Sequence, residues 1–388
     1  MSLAESMDKI SEGMIDEGHY VYEKVRKGEE LGLHADKVRC WAYEHPDENV
    51  RHHLVMAWAL HSLRMQNMDA IEELMQQETE CRRLGLIVCE DAWTREAGLP
   101  SGMEPIILGC LEDDEVIIRW TAARLLGELG ERGMDLSPYM PALAAHLSDH
   151  DRPGRAGTVS VFAAGALYAA TLLDVTREQA LKLLLEGEAA SDKIMSRVCV
   201  SAYVHHLADI RDLRSIDERL RAKQTHVRLG AAEGLRAAVY TIQCDLDLAP
   251  IERNLQRAAD GTVTAREQMI RSTASVEAYP FAPICERLGL LLQDRSRDVR
   301  RTAADTLQHA QYHKRQDVLP ALPMLIASLR DSDSSTLQAA TSTVTRCFGE
   351  MTPQMKAEAL TSLEQLAQHS NRNVRQEAES ALRIASQP

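Results

Sequence analysis

One amphipathic pattern, repeated at nearly constant spacing, constrains this chain more than any other feature. Residues 294–310 read DRSRDVRRTAADTLQHA, and Val299, Ala303, Leu307 and Ala310 fall at i, i+4, i+8 and i+11, one face of an α-helix. Asp294 and Ser296 can accept hydrogen bonds from N–H groups of the first turn, and Asp298 adds negative charge near the positive end of the helix dipole. With Val299 as the anchor, the same pattern recurs at Val50, Cys81, Ile118, Val159, Ser196, Val227, Ala265, Thr336 and Val374, at gaps of 31 to 41 residues. That is the period of two-helix solenoid units.

Three offsets carry the pattern. The residue after the anchor is arginine at Arg51, Arg82, Arg119, Arg197, Arg228, Arg266, Arg300 and Arg375, with Ser160 and Leu337 as exceptions. Four after the anchor the residue is mostly small or aliphatic, from Leu54 and Gly85 to Ala340 and Ala378. Eight after it come Trp58, Cys89, Leu126, Leu167, Val204, Leu235, Thr273, Leu307, Val344 and Leu382. First-helix candidates precede these windows at 68–77, 105–112, 138–147, 177–186, 212–221, 250–258, 283–292, 320–329 and 353–367, with proline recurring near their starts, where a missing N–H costs little.

The windows EDDEVIIRWTAARLLGEL, DRSRDVRRTAADTLQHA and HSNRNVRQEAESALRIA resemble HEAT repeats and the related bilin-lyase-type HEAT-like repeats. The resemblance spans roughly residues 35–388. It implies an all-α, right-handed α-α superhelix (a HEAT-like solenoid) of about ten antiparallel helix pairs, in which the arginine after the anchor pairs with an acidic group of a neighbouring repeat. Residues 1–34, where Gly13, Gly18, Gly28 and Gly32 interrupt a polar helical pattern, read as an N-terminal capping helix or arm. Residues 35–388 read as a single solenoid, with a subdivision near the 148–157 loop, SDHDRPGRAG, where Pro153, Gly154 and Gly157 break any helix.

Composition fits stacked units that bury their faces against neighbours: 45% of residues are hydrophobic and only 4% aromatic. No segment approaches the roughly 18 uninterrupted apolar residues of a membrane span. The acidic start, with Glu5, Asp8, Glu12, Asp16 and Glu17, does not read as a secretory signal, and a cytoplasmic location is expected. Eight cysteines without a C-x-x-C pair read as buried free thiols rather than disulfides or zinc ligands.

No strong catalytic motif is found in the sequence, neither G-x-S-x-G, Walker loop, H-E-x-x-H nor dinucleotide fingerprint. His309 and His313 at i, i+4 lack further ligands at useful spacing, the members of the adjacent pairs His52–His53 and His205–His206 point to different helix sides, and the adjacent Asp149, His150 and Asp151 do not easily converge on one ion. No metal or cofactor is expected. The net charge of −14 is uneven: residues 1–150 hold 29 acidic and 14 basic side chains, the remainder 29 and 30. The acidic half suits a basic protein and repels nucleic acid. The basic cluster Arg295, Arg297, Arg300 and Arg301 is interleaved with Asp294, Asp298 and Asp305, so it suits internal ion pairing.

In the family the resemblance points to, second helices line the concave side, and offsets two, six and nine after each anchor face the groove. At the second offset stand Trp120, Val161, Val198 and Leu229, with Arg301 further on; at the sixth, Arg124, Gly165, Ala202, Glu233 and Asp305; at the ninth, Tyr168, His205, Arg236 and Gln308. This strip suits a partner helix or peptide. The expected function is therefore a non-enzymatic protein-binding scaffold or adaptor, in one specific form an inhibitor or immunity-type protein whose acidic half caps a basic partner. A HEAT-like enzyme or nucleic-acid module, of the alkylpurine DNA glycosylase or bilin-lyase kind, stays open beside it.

Overall fold

The computed structural model describes residues 3–11, 17–96, 99–100, 102–154, 157–246, 282–313 and 315–386. Within them the chain is helical throughout, and it divides into two compact units, Met1–Ala180 and Leu181–Pro388. The first helices of the repeats are α3 (Ala35–Glu44), α5 (Met68–Met75), α7 (Met103–Leu111), α9 (Met140–Ala145), α11 (Asp174–Glu188), α13 (Leu213–Leu220), α15 (Ala282–Leu291), α18 (Leu322–Ser328) and α20 (Pro353–Leu366). The second helices are α4 (Glu48–Arg64), α6 (Thr79–Glu96), α8 (Val116–Glu131), α10 (Val159–Ala170), α12 (Lys193–Asp209), α14 (Thr225–Leu246), α16 (Arg297–His313), α19 (Ser334–Arg346) and α21 (Arg372–Ala385). A short helix, α17 (Arg315–Val318), joins α16 to α18.

Each described anchor, from Val50 to Val374, is buried, as is every described residue four positions later. Among the described residues at the eighth offset, Leu382 alone is only half-buried. The tenth window, around Ala265, and the first-helix candidate 250–258 lie outside the described residues.

In unit 1, α1 (Leu3–Ser11) packs on α2 (Glu17–Arg26), and α2 packs on α4. The Arg64 guanidinium donates to the carbonyls of Val25 and Arg26 at the end of α2, where the Val25 carbonyl also accepts the Gly28 N–H at 2.9 Å. The second helices then stack in order, α4 on α6, α6 on α8 and α8 on α10. Small residues set the closest approach: a Cβ on Gly130 would come within 2.9 Å of the Ala169 Cβ, and one on Gly127 within 3.7 Å of the Ala166 backbone. The 148–157 loop organises the start of α10, because the carbonyls of Asp151 and Asp149 accept from Val159 and Ser160 at 2.9 and 2.8 Å.

In unit 2, α12 packs on α14, α14 on α16, α16 on α19 and α19 on α21, around one continuous core. The first helices follow the same order, with Arg287 of α15 paired to Asp217 of α13. Among the described residues, the repeat of Val227 packs against that of Val299.

An arginine–aspartate ladder ties neighbouring repeats within each unit. The Nη1 groups of Arg51, Arg119, Arg228, Arg300 and Arg375 each donate to the carbonyls six and five residues before them, closing their own interhelical turns. Four arginines that follow an anchor reach an aspartate of the next described repeat: Arg82 to Asp113, Arg119 to Asp149 at 2.8 Å, Arg228 to Asp294 at 2.5 Å and Arg300 to Asp331 at 2.6 Å. Each of these aspartates also accepts the backbone N–H two residues on. One carboxylate therefore shapes its own turn and receives its neighbour's guanidinium.

Candidate interaction surface

Helical periodicity places offsets two, six and nine on one flank of each second helix. In unit 1, Trp120 and Arg124 are half-buried and Val161 is 40% exposed. Trp120 of α8 meets Phe162 of α10 edge to face, ring centroids 4.7 Å apart. The indole N–H of Trp120 turns inward and finds no hydrogen-bond partner among the described residues. Arg124 sits 5.8 Å from the Trp120 ring centroid and pairs with Glu128 one turn along. Phe162, one position beyond the expected offset, was not legible as a surface residue. Together Trp120, Val161 and Phe162 form an aromatic and aliphatic platform spanning two helices.

Other expected residues are closed off. Tyr168 is 3% exposed, because the glycines of α8 draw the end of α10 in. Val198 and His205 are 4% and 7% exposed, and Ala202 is buried between them. The cause lies in Gly230 and Gly234 of α14, which rest against the α12 backbone from Arg197 to His205: a Cβ on Gly234 would lie 2.9 Å from the Val204 Cβ and overlap the Ser201 carbonyl. Those three α12 side chains are packing, not a groove lining.

On the remaining flank of unit 2, charges pair across helices. Arg197 meets Glu233 at 3.5 Å, Arg236 meets Asp305 at 3.2 Å and Arg301 meets Asp333 at 2.8 Å. Leu229 and Gln308 are half-buried among them. Burial pushes the Glu233 carboxyl above its usual range, against the pull of Arg197 and Arg236. Two arginines of the basic cluster are thus spent on repeat contacts, Arg300 on Asp331 and Arg301 on Asp333, while Arg297 lies 3.7 Å from its neighbour Asp298.

Asp333 is the most strongly held carboxylate of this face. The Arg301 guanidinium, followed by the Thr336 N–H and hydroxyl, holds it well below the usual carboxylate range. A depressed folded-state value contributes stability above the unfolded carboxylate range, about 4, and loses it as pH falls through the folded value. Asp333→Asn should therefore lower stability at pH 7 and flatten the acid limb of a pH–stability curve measured by urea unfolding. An unchanged acid limb would show that Asp333 titrates as it does in the unfolded chain.

Candidates for chemistry are otherwise absorbed. Asp149 and Asp151 are both bound by Arg119, His52 lies 3.6 Å from Glu48, and His53 contacts the Asn49 carbonyl at 2.8 Å. His205 and His206 are buried, and the His313 side chain lies outside the described residues. Trp58, at the eighth offset of its repeat, is 6% exposed. Of the seven described cysteines, Cys40 is exposed and the other six are buried free thiols, with Cys89 and Cys110 pushed up to about 12 by burial.

Residues 286–383 match the family of HEAT repeats. The chain aligns over 96% of its length, at 11% identity and a TM-score of 0.56, with 49% of a chain in the structure in which Kap95p binding induces the switch loops of RanGDP to adopt the GTP-bound conformation. The fold is a HEAT-type α-solenoid. This solenoid also matches a chain of the Kap95:Nup1 complex, with 90% of it aligned to 46% of that chain at 11% identity and a TM-score of 0.55. A third match is the structure of yeast importin-β (Kap95p), at 12% identity and a TM-score of 0.49, covering 93% of the solenoid and 47% of that chain. The solenoid spans about half the length of these chains. No curated protein matches it. A repeat solenoid stacks its helices into an extended surface, each repeat in contact with its neighbours.

Proposed function

We propose that this solenoid is a non-enzymatic scaffold or adaptor that docks a segment of a partner protein on the second-helix face of unit 1. The observation that carries the reading is the Trp120–Val161–Phe162 platform, where Val161 is 40% exposed and two rings pack across neighbouring helices. Interface anchors are enriched in such aromatic side chains, and an aliphatic neighbour completes the pocket they offer. Unit 2 supports the choice by contrast, since its face is closed by side-chain burial and cross-helix ion pairs. The acidic first half favours an inhibitor or immunity-type role, in which the solenoid caps a partner's working surface. Kap95p, which shares the fold, is itself seen with RanGDP and with Nup1.

Trp120→Ala combined with Val161→Asp should reduce partner capture at least about tenfold while leaving the helical circular dichroism signal unchanged. Capture equal to that of the unmodified chain, with the fold intact, would remove the platform from the function.

A further inference from the structure

Resting on that docking face, we infer that its occupant is a cationic amphipathic segment of a protein: an apolar side chain seats against Trp120, Val161 and Phe162, and lysines or arginines turn toward carboxylates beside them. The charge map is the first support. Unit 1 carries the whole net negative charge of the chain, because residues 151–180 are balanced and the later residues are nearly so. The field over this face therefore attracts cations and raises their encounter rate.

The local placement of acids is the second. Asp114 and Glu115 are exposed immediately before α8, and Glu115 stands at its N-cap position without using its side chain as a cap. Trp120 follows Glu115 by five residues, about 7.5 Å along the axis. A second helix of the same face, α4, begins with Glu48, whose side chain is 72% exposed. Two other acids of this face are Glu80, which pairs with Arg83 of its own helix and lies 3.9 Å from His52 of α4, and Glu128, which pairs with Arg124 one turn away. The pairs within one helix, Arg83–Glu80 and Arg124–Glu128, are weak and are readily redirected to an incoming guanidinium or ammonium. In unit 2 the corresponding charges bridge different helices, so a ligand there must break contacts between repeats.

The apolar platform selects what charge alone would not. A fully polar cationic chain would leave Val161 wet, whereas an amphipathic one covers it and keeps its cations at the carboxylate rim. Nucleic acid, being polyanionic, meets repulsion on the same face.

The test uses the full chain and two fluorescein-labelled 18-residue amphipathic peptides, one of leucine and lysine, the other of leucine and glutamate in the same pattern, followed by anisotropy. The leucine–lysine peptide should bind at least about tenfold tighter than its counterpart and weaken about tenfold between roughly 50 and 300 mM NaCl. Trp120→Ala with Val161→Ser should weaken it about tenfold, and Asp114→Asn with Glu115→Gln about threefold at low salt, each variant first shown folded by circular dichroism. If both peptides bind alike and both depend on Trp120, the docking face stands and the cationic inference falls. Leucine–lysine binding that ignores Trp120→Ala with Val161→Ser would be charge alone and would overturn the docking face. Binding that ignores Asp114→Asn with Glu115→Gln, or no binding of either peptide, overturns the inference.

Discussion

Gly230→Ala and Gly234→Ala should each destabilise unit 2 by about 3 kcal/mol, the upper range for overpacking, because the added methyl meets backbone rather than a movable side chain. The new Cβ at 230 would overlap the Arg197 carbonyl oxygen and lie 3.1 Å from the Val200 Cβ; at 234 it would overlap the Ser201 carbonyl and lie 2.9 Å from the Val204 Cβ. Neither obstacle can rotate away, so α12 and α14 must separate along the contact that fixes the start of unit 2. The sign is diagnostic. In a helix free of neighbours the same substitution gains about 1 kcal/mol from propensity. Gly109 of α7, with nothing within 4 Å of an added Cβ, supplies the control. Urea unfolding followed by circular dichroism should show Gly109→Ala neutral or stabilised and the other two shifted to lower denaturant. Stabilisation at 230 or 234 would contradict the close approach.

Arg300→Ala should cost about 3 kcal/mol, the lower end of the range for leaving one member of a buried ion pair. Arg300 closes its own turn through the Asp294 carbonyl at 2.9 Å and binds Asp331 through Nε and Nη2 at 2.6 and 3.1 Å. Both side chains are mostly shielded, at 16% and 6% exposure. Arg375 of the last described repeat makes the carbonyl contacts, at 2.7 and 2.8 Å. Its replacement by alanine should therefore cost only about 1 kcal/mol. Arg300→Lys should not restore stability, since an ammonium cannot span a carboxylate and a carbonyl in the planar fork that guanidinium offers. Equal losses at 300 and 375 would show that the turn, and not the ladder to the neighbouring repeat, is what Arg300 stabilises.

Much of this was legible from spacing. Val299, Ala303 and Leu307 and their described counterparts, Leu382 aside, are buried because the 3.6-residue period fixes which side of a helix faces its neighbours, and that period is written in the sequence. The ladder was readable for Arg82, Arg119, Arg228 and Arg300, whose aspartate partners lie in the next described repeat. Periodicity does not say how closely two helices lie. Val198, His205 and Tyr168 stand on the expected flank, yet Gly230, Gly234 and Gly130 bring neighbouring helices in and bury them. The signal was present as small residues four apart on α14, and its meaning depends on the partner backbone. Arg236, Asp305 and Arg301 fell on the open flank, but spacing within one helix cannot show that they pair across helices. Phe162 was hidden for a similar reason: its contact with Trp120 depends on the register of α10 against α8.

Site-specific photo-crosslinking can locate the docking face. A benzophenone amino acid would replace Val161 on the platform of unit 1 or, in a second protein, Gln308 on the ion-paired flank of unit 2, each irradiated in the native host. Docking on the unit 1 platform should give a discrete adduct from position 161 that disappears when Trp120→Ala is added, and none from position 308. An adduct from 308 alone, or one from 161 that persists without Trp120, would place the partner elsewhere and contradict it.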